Sequence, residues 1–164
     1  MKTKNFFSGA FYMIILIILS ACSEQNYRSR SEFNENWKFH LGDSTDAQVT
    51  NFDDSEWRDI TLPHDWSIEG EFSADNPAGV SGGALPGGMA WYRKTFILPE
   101  SDKGKIISVE FDGVYMNSEV WINGEYLGKR PNGYISFSYD MTPYLKFGNE
   151  KNIIAVKVDN SKQP

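Results

Sequence analysis

The stretch Phe111–Gly128, FDGVYMNSEVWINGEYLG, decides how the rest of the chain is read. Asn123-Gly124 stands between two β-prone runs, and both residue types tolerate positive φ, so the dipeptide predicts a two-residue hairpin turn. That turn sets a register with Ile122 opposite Glu125, Trp121 opposite Tyr126 and Val120 opposite Leu127. Val120 and Leu127 then share one face of the ribbon, and Trp121 and Tyr126 the other. The Trp–Tyr pair adds about 0.2–1 kcal/mol beyond burial. A ribbon apolar on both faces needs cover on both, inside a larger β structure or against another domain. For the Trp121 face, burial within a sandwich core and docking on a neighbouring domain are the two readings.

Outward from the hairpin, the same alternation recurs. WYRKTFIL (Trp91–Leu98) sets Tyr92, Phe96 and Leu98 against Arg93 and Thr95, and IISVEF (Ile106–Phe111) sets Ile107, Val109 and Phe111 against Ser108 and Glu110. YISFSY (Tyr134–Tyr139) and Asn152–Asp159 follow suit, and Phe33–His40 and Arg58–Leu62 read as earlier, shorter strands. Pro63, lacking an amide donor, ends the last of these. Period-2 runs at intervals of a dozen or so residues, with turn residues between, predict an all-β antiparallel sandwich. The long His64–Gly88 segment, rich in Gly, Ala, Ser and Pro, is of the kind that is usually functional or disordered.

The N-terminus has a different character. Lys2 and Lys4 precede the uncharged apolar run Phe11–Leu19, then Leu19-Ser20-Ala21-Cys22. Met1–Ala21 therefore reads as a secretory signal, too short in its apolar part to span a membrane comfortably. The pattern resembles a bacterial lipoprotein signal, which implies a lipid anchor on Cys22 and a cell-envelope location, periplasmic or surface-exposed. Ordinary cleavage beside an incidental Cys is the alternative. Residues 22–32 read as a polar tether, and 33–164 as the folded domain. Cys22 is the sole cysteine, so no intrachain disulfide can form. The formal charge is −6, and no basic stripe is visible, which argues against nucleic acid as a partner.

Self-contained chemistry is not apparent. His40 and His64 are the only histidines, without zinc-ligand spacing, and the glycine run Gly82–Gly88 precedes a strand and lacks a Lys-Ser/Thr ending. No metal or cofactor is implied. The acidic pairs Asp53/Asp54 and Glu69/Glu71 read as solvated loop carboxylates. Trp66, in LPHDW (Leu62–Trp66), reads as a plug for the core edge, with the entry to a sugar-lining loop as the functional alternative. Aromatic rings stack on sugar faces while Asp, Asn and Glu bond hydroxyls, which makes Asp75 and Asn76 the candidate substrate-binding residues.

Several pieces then coincide. Phe52-Asp53-Asp54-Ser55-x-Trp57, Leu62-Pro63-His64-Asp65-Trp66, Leu85-Pro86-Gly87-Gly88-x-x-Trp91-Tyr92-Arg93-Lys94-Thr95-Phe96, Phe111-Asp112-Gly113-Val114, Val120-Trp121-Ile122-Asn123-Gly124 and Val158-Asp159-Asn160 occur in order. Together, from Phe33 onward, they resemble the sugar-binding domain of glycoside hydrolase family 2, most closely its β-galactosidases, with β-mannosidases and β-glucuronidases also in the family. The resemblance implies a jelly-roll sandwich, here lacking its last strand, that packs on downstream domains. It implies a terminal β-galactoside or related glycan as partner, and a loop equivalent to His64–Gly88 that reaches the sugar. The family's two catalytic glutamates belong to a barrel beyond Pro164, so no catalytic residue is expected in this chain. A stand-alone carbohydrate-binding module or lectin on the envelope is the alternative, and an envelope-anchored structural domain a third reading.

Overall fold

A computed structural model describes residues 28–162 of the chain. Met1–Ala21, read above as a secretory signal, Cys22, and the first part of the 22–32 stretch read as a tether lie outside the described residues. The chain divides into an N-terminal unit, Met1–Phe33, and a folded unit, Asn34–Pro164. Within the first unit, residues 28–33 carry neither helix nor strand.

The folded unit is all-β. Its strands are β1 (Trp37–Leu41), β2 (Arg58–Ile60), β3 (Met89–Ile97), β4 (Ser108–Phe111), β5 (Ser118–Ile122), β6 (Glu125–Arg130), β7 (Phe137–Asp140) and β8 (Lys151–Asp159). Four 3₁₀ turns are the only helical elements among the described residues. Six strands form one sheet in the order β2-β1-β3-β8-β5-β6, and β4 pairs with β7 in a second. Every pairing is antiparallel.

Register explains the core. Phe39, Tyr92, Val156 and Val120 are mutual partners across four strands, so their side chains stack in one row on the inner face. Ile154 with Ile122 forms the next row, and all six residues are buried. On β6, Tyr126 pairs with Trp121, but Val120 pairs with Gly128, not Leu127. The expected Val120–Leu127 partnership is thus displaced by a β-bulge that leaves Leu127 as the extra residue. Gly128 has φ +149°, and a Cβ there would lie 2.8 Å from Tyr139 Cε1. The bulge turns a side-chain-free residue toward the second sheet, where Tyr139 needs the space.

The outer face is the larger surprise. Arg93, Ala155, Trp121 and Tyr126 form a row there, and residues Ala47, Phe52 and Trp57 of the β1–β2 connection pack over part of it. Arg93, one of the polar alternates of the strand pattern, is 1% exposed. Its Nε donates to Asp54 Oδ2 at 2.8 Å, and its Nη1 donates to the carbonyls of Val49 (3.1 Å) and Ala47. Phe52 faces the guanidinium at 5.3 Å. Asp54 is therefore the partly exposed anchor of an ion pair with a buried arginine and not simply a solvated loop acid. Trp121 is not between the sheets: it is half-buried on this outer face, stacked on Trp91 at 5.4 Å and tilted against Tyr126 at 5.4 Å.

Strand ends moved for local reasons. Asn36 has φ +59°, a left-handed conformation that delays β1 to Trp37. Tyr134–Ser136 lie outside β7, because the Asn132 side chain accepts from Tyr134 N at 2.8 Å and extends the turn.

Candidate functional site

The registers bring one set of strand ends together. Met89 pairs with Asp159, Ser118 with Arg130, and Phe111 with Phe137, while Arg130 lies over the Phe137 ring at 5.4 Å. Three connections therefore meet at one end of the sandwich: 61–88, 112–117 and 131–136, with the chain leaving at Asn160. Hydrogen bonds join them in sequence. Asn160 N donates to Gly88 O (2.9 Å), and Gly88 N to Asn160 Oδ1 (2.8 Å). Asp159 N donates to Met116 O (3.0 Å), Asn117 Nδ2 to Asp159 O (3.0 Å), and Asn117 N to Pro131 O (3.2 Å).

Asn160, 4% exposed, sits at the junction, and its Nδ2 also reaches Ser67 Oγ at 3.5 Å. A buried polar side chain that fills its hydrogen-bonding capacity fixes geometry. Its role went unread in the sequence beyond its place in the Val158-Asp159-Asn160 motif, because partners 72 and 93 positions away leave no local pattern.

The long connection has its own scaffold. Asp65 Oδ1 accepts from Ser67 N at 3.0 Å and caps the 3₁₀ turn Trp66–Glu69. Trp66 is buried, as the core-plug reading expects, 3.7 Å from where a Gly88 side chain would begin. His64 closes the entry: Nδ1 meets Tyr92 Oη at 3.0 Å, and Nε2 meets Glu69 Oε1 at 3.2 Å and Arg58 Nη2 at 2.8 Å. Arg58 also donates to Glu69 Oε2 at 2.7 Å. That bond, foremost, holds the Glu69 carboxyl below its ordinary range. Burial, then the nearby Asp65 and Glu69 charges, push the Tyr92 phenol upward. Glu69 stays exposed, as a solvated loop acid should, yet it also struts the loop through Arg58 and His64.

The two candidate sugar ligands separate in role. Asn76 Nδ2 donates to Glu71 O and to Ala84 O, both at 2.9 Å, so its amide hydrogens brace the loop against itself. Backbone bonds from Ser73 N to Ala84 O (3.0 Å) and Ala84 N to Gly79 O (2.7 Å) complete the brace. Asp75 is exposed, its own amide bonded to Ser73 Oγ at 3.2 Å, and its carboxylate has no partner among the described residues. Chemically, this loop presents one exposed carboxylate, Asp75, on a backbone braced by Asn76.

The sequence pattern described as "Glycosyl hydrolases family 2, sugar binding domain" matches residues 31–163. The chain belongs to this family. The chain is 60% identical over 149 residues to β-galactosidase BoGH2A of Bacteroides ovatus, covering 89% of this chain and 17% of that protein. It is 41% identical over 141 residues to a β-glucuronidase of Formosa agariphila, covering 82% and 14%. The crystal structure of a β-glycosidase from Bacteroides vulgatus superposes with a TM-score of 0.74 at 56% identity, over 79% of this chain and 17% of that one. The chain thus spans about a sixth of the length of the curated relatives it matches. The jelly-roll expectation stands, with the six- and two-stranded sheets just described.

Proposed function

We propose that this chain is the N-terminal sugar-binding portion of an exo-acting β-galactosidase whose hydrolytic carboxylates lie elsewhere in a longer polypeptide. The observation that carries the reading is the 60% identity to the Bacteroides ovatus β-galactosidase. The relatives reported above are glycosidases and not lectins, which disfavours the stand-alone module. In this role Asp75, carried on the loop that Asn76 braces, accepts from hydroxyls of a terminal β-galactoside, and the barrel supplies the two-carboxylate chemistry. The outer face that carries half-buried Trp121 and exposed Tyr126 packs on a downstream domain. The chain in isolation binds galactosides weakly at most.

The deciding measurement is kcat/KM for p-nitrophenyl β-galactoside and p-nitrophenyl β-glucuronide, using the full polypeptide encoded by the gene that carries this sequence. A preference for the galactoside of about a hundredfold is the expected result, since a site built for one polar group rejects its alternative strongly. Equal or faster glucuronide hydrolysis overturns the galactosidase reading. Turnover by the 164-residue chain alone overturns the accessory role. For the N-terminus we propose lipid attachment at Cys22 in the bacterial envelope. Metabolic labelling with a fatty acid, lost in Cys22→Ser, is the expected outcome, and label persisting in that variant overturns it.

A further inference from the structure

At the same end of the sandwich, one ring stands apart from every role assigned above. Tyr134 is 83% exposed, yet its ring has a neighbour along one edge. Its ring meets Tyr115 edge-on at 5.4 Å with an interplanar angle of 65°. Desolvation first, and then a hydrogen bond with Tyr134, lift the Tyr115 phenol above its ordinary value. Asn132 Oδ1 fixes the Tyr134 backbone at 2.8 Å. Behind it, a Cβ at Gly133 would come within 2.4 Å of Tyr115 Cδ2, so only glycine permits the 112–117 and 131–136 connections to close this tightly. Asn117, bonded to both Pro131 O and Asp159 O, locks the pair to the Asn160–Gly88 junction at the foot of the sugar loop.

An exposed aromatic face already supported along its edge suits a pyranose ring, because a side chain held before binding loses less freedom on binding. The Asn132 amide hydrogens have no partner among the described residues and stand two positions from the ring, with hydroxyl-bonding capacity to spare. We propose that Tyr134 is a sugar-stacking platform, a second carbohydrate contact on the rim opposite in sequence to the Asp75 loop, taking the apolar face of a β-linked pyranose with Asn132 bonding a hydroxyl. This rests on the sugar-binding reading above and adds a contact that reading does not contain.

The test is saturation-transfer and ¹H–¹⁵N chemical-shift NMR on the chain with methyl β-D-galactopyranoside, comparing wild type, Tyr134→Ala and Tyr134→Phe. The expected result is binding in the range of roughly millimolar, with shifts at residues 131–135, weakened about tenfold in Tyr134→Ala and kept in Tyr134→Phe. Because the ring is exposed, the Ala variant keeps the wild-type spectrum elsewhere. Shifts confined to residues 64–88, with Tyr134→Ala binding like wild type, overturn the platform and leave the family reading intact. Absence of transfer to the wild type also overturns it, while the galactosidase reading is decided separately by hydrolysis with the full polypeptide.

Discussion

Arg93 shows what a single residue can hide. In WYRKTFIL it occupies the polar phase of an alternating strand, yet the segment 42–57 crosses the outer face and closes over it. Arg93→Met leaves Asp54 and two carbonyls without their donor, and the expected loss is about 3 kcal/mol in urea denaturation. Arg93→Lys restores only part, since an ammonium cannot reproduce the planar fork that serves a carboxylate and two carbonyls together. Asn76 poses the complementary case. Sequence makes it a candidate sugar ligand, and in the fold its amide hydrogens bond Glu71 O and Ala84 O. Asn76→Ala should speed hydrogen exchange at Ser73 and Ala84 about five- to tenfold, as two bonds of about 1 kcal/mol each are partly replaced by water. Asn76→Asp, which sets a carboxylate against two carbonyls, should be worse than Ala. An Asp variant that protects the loop better than Ala would show the brace to be misassigned.

At the scale of elements, the β5–β6 hairpin was legible because its turn is local: Asn123 and Gly124 carry the positive φ values the turn demands, and the two pairs beside it keep the expected register. The bulge two residues further on was not legible, for its cause is Tyr139 on another sheet. Gly128→Ala should cost about 1–3 kcal/mol, from overpacking and from the φ of +149°. Tyr139→Ala should relieve part of that penalty in a double-mutant cycle, and additive effects would disprove the contact. The outer face of the same hairpin makes a separate prediction. Tyr126→Lys should leave the stability of this chain within about 0.5 kcal/mol, as a half-exposed site permits. In the full polypeptide, it should lower the melting temperature if a downstream domain covers the Trp121 face.

Across the whole molecule, pH reads out the hydrogen-bonded acids. Asp43 is held low first by the Trp91 indole N–H, Asp140 by Thr142, Asp159 by Ser161 and Glu69 by Arg58. Each has a folded value below its unfolded one, so its contribution is complete above the ordinary carboxylate range, near pH 4, and is lost as pH falls through the folded values. On the alkaline side the sign reverses. Tyr92 keeps its proton longer when folded, so stability is complete below the unfolded tyrosine value near 10 and declines as pH rises past it. Thermal melts from pH 2 to 11 should show both limbs, and Tyr92→Phe should flatten the alkaline one. An unchanged alkaline limb in that variant would remove Tyr92 as its cause. The strand pattern, the hairpin turn and the family were all set by residues close together in the chain, where alternation and turn chemistry act over a few positions. Only the folded molecule decided that Arg93 is buried, that Trp121 lies outside the sandwich, and that Asn117, Asp159 and Asn160 together tie three loops at one end. Those outcomes depend on partners tens of residues away, and burial by a distant segment leaves no mark on the local pattern.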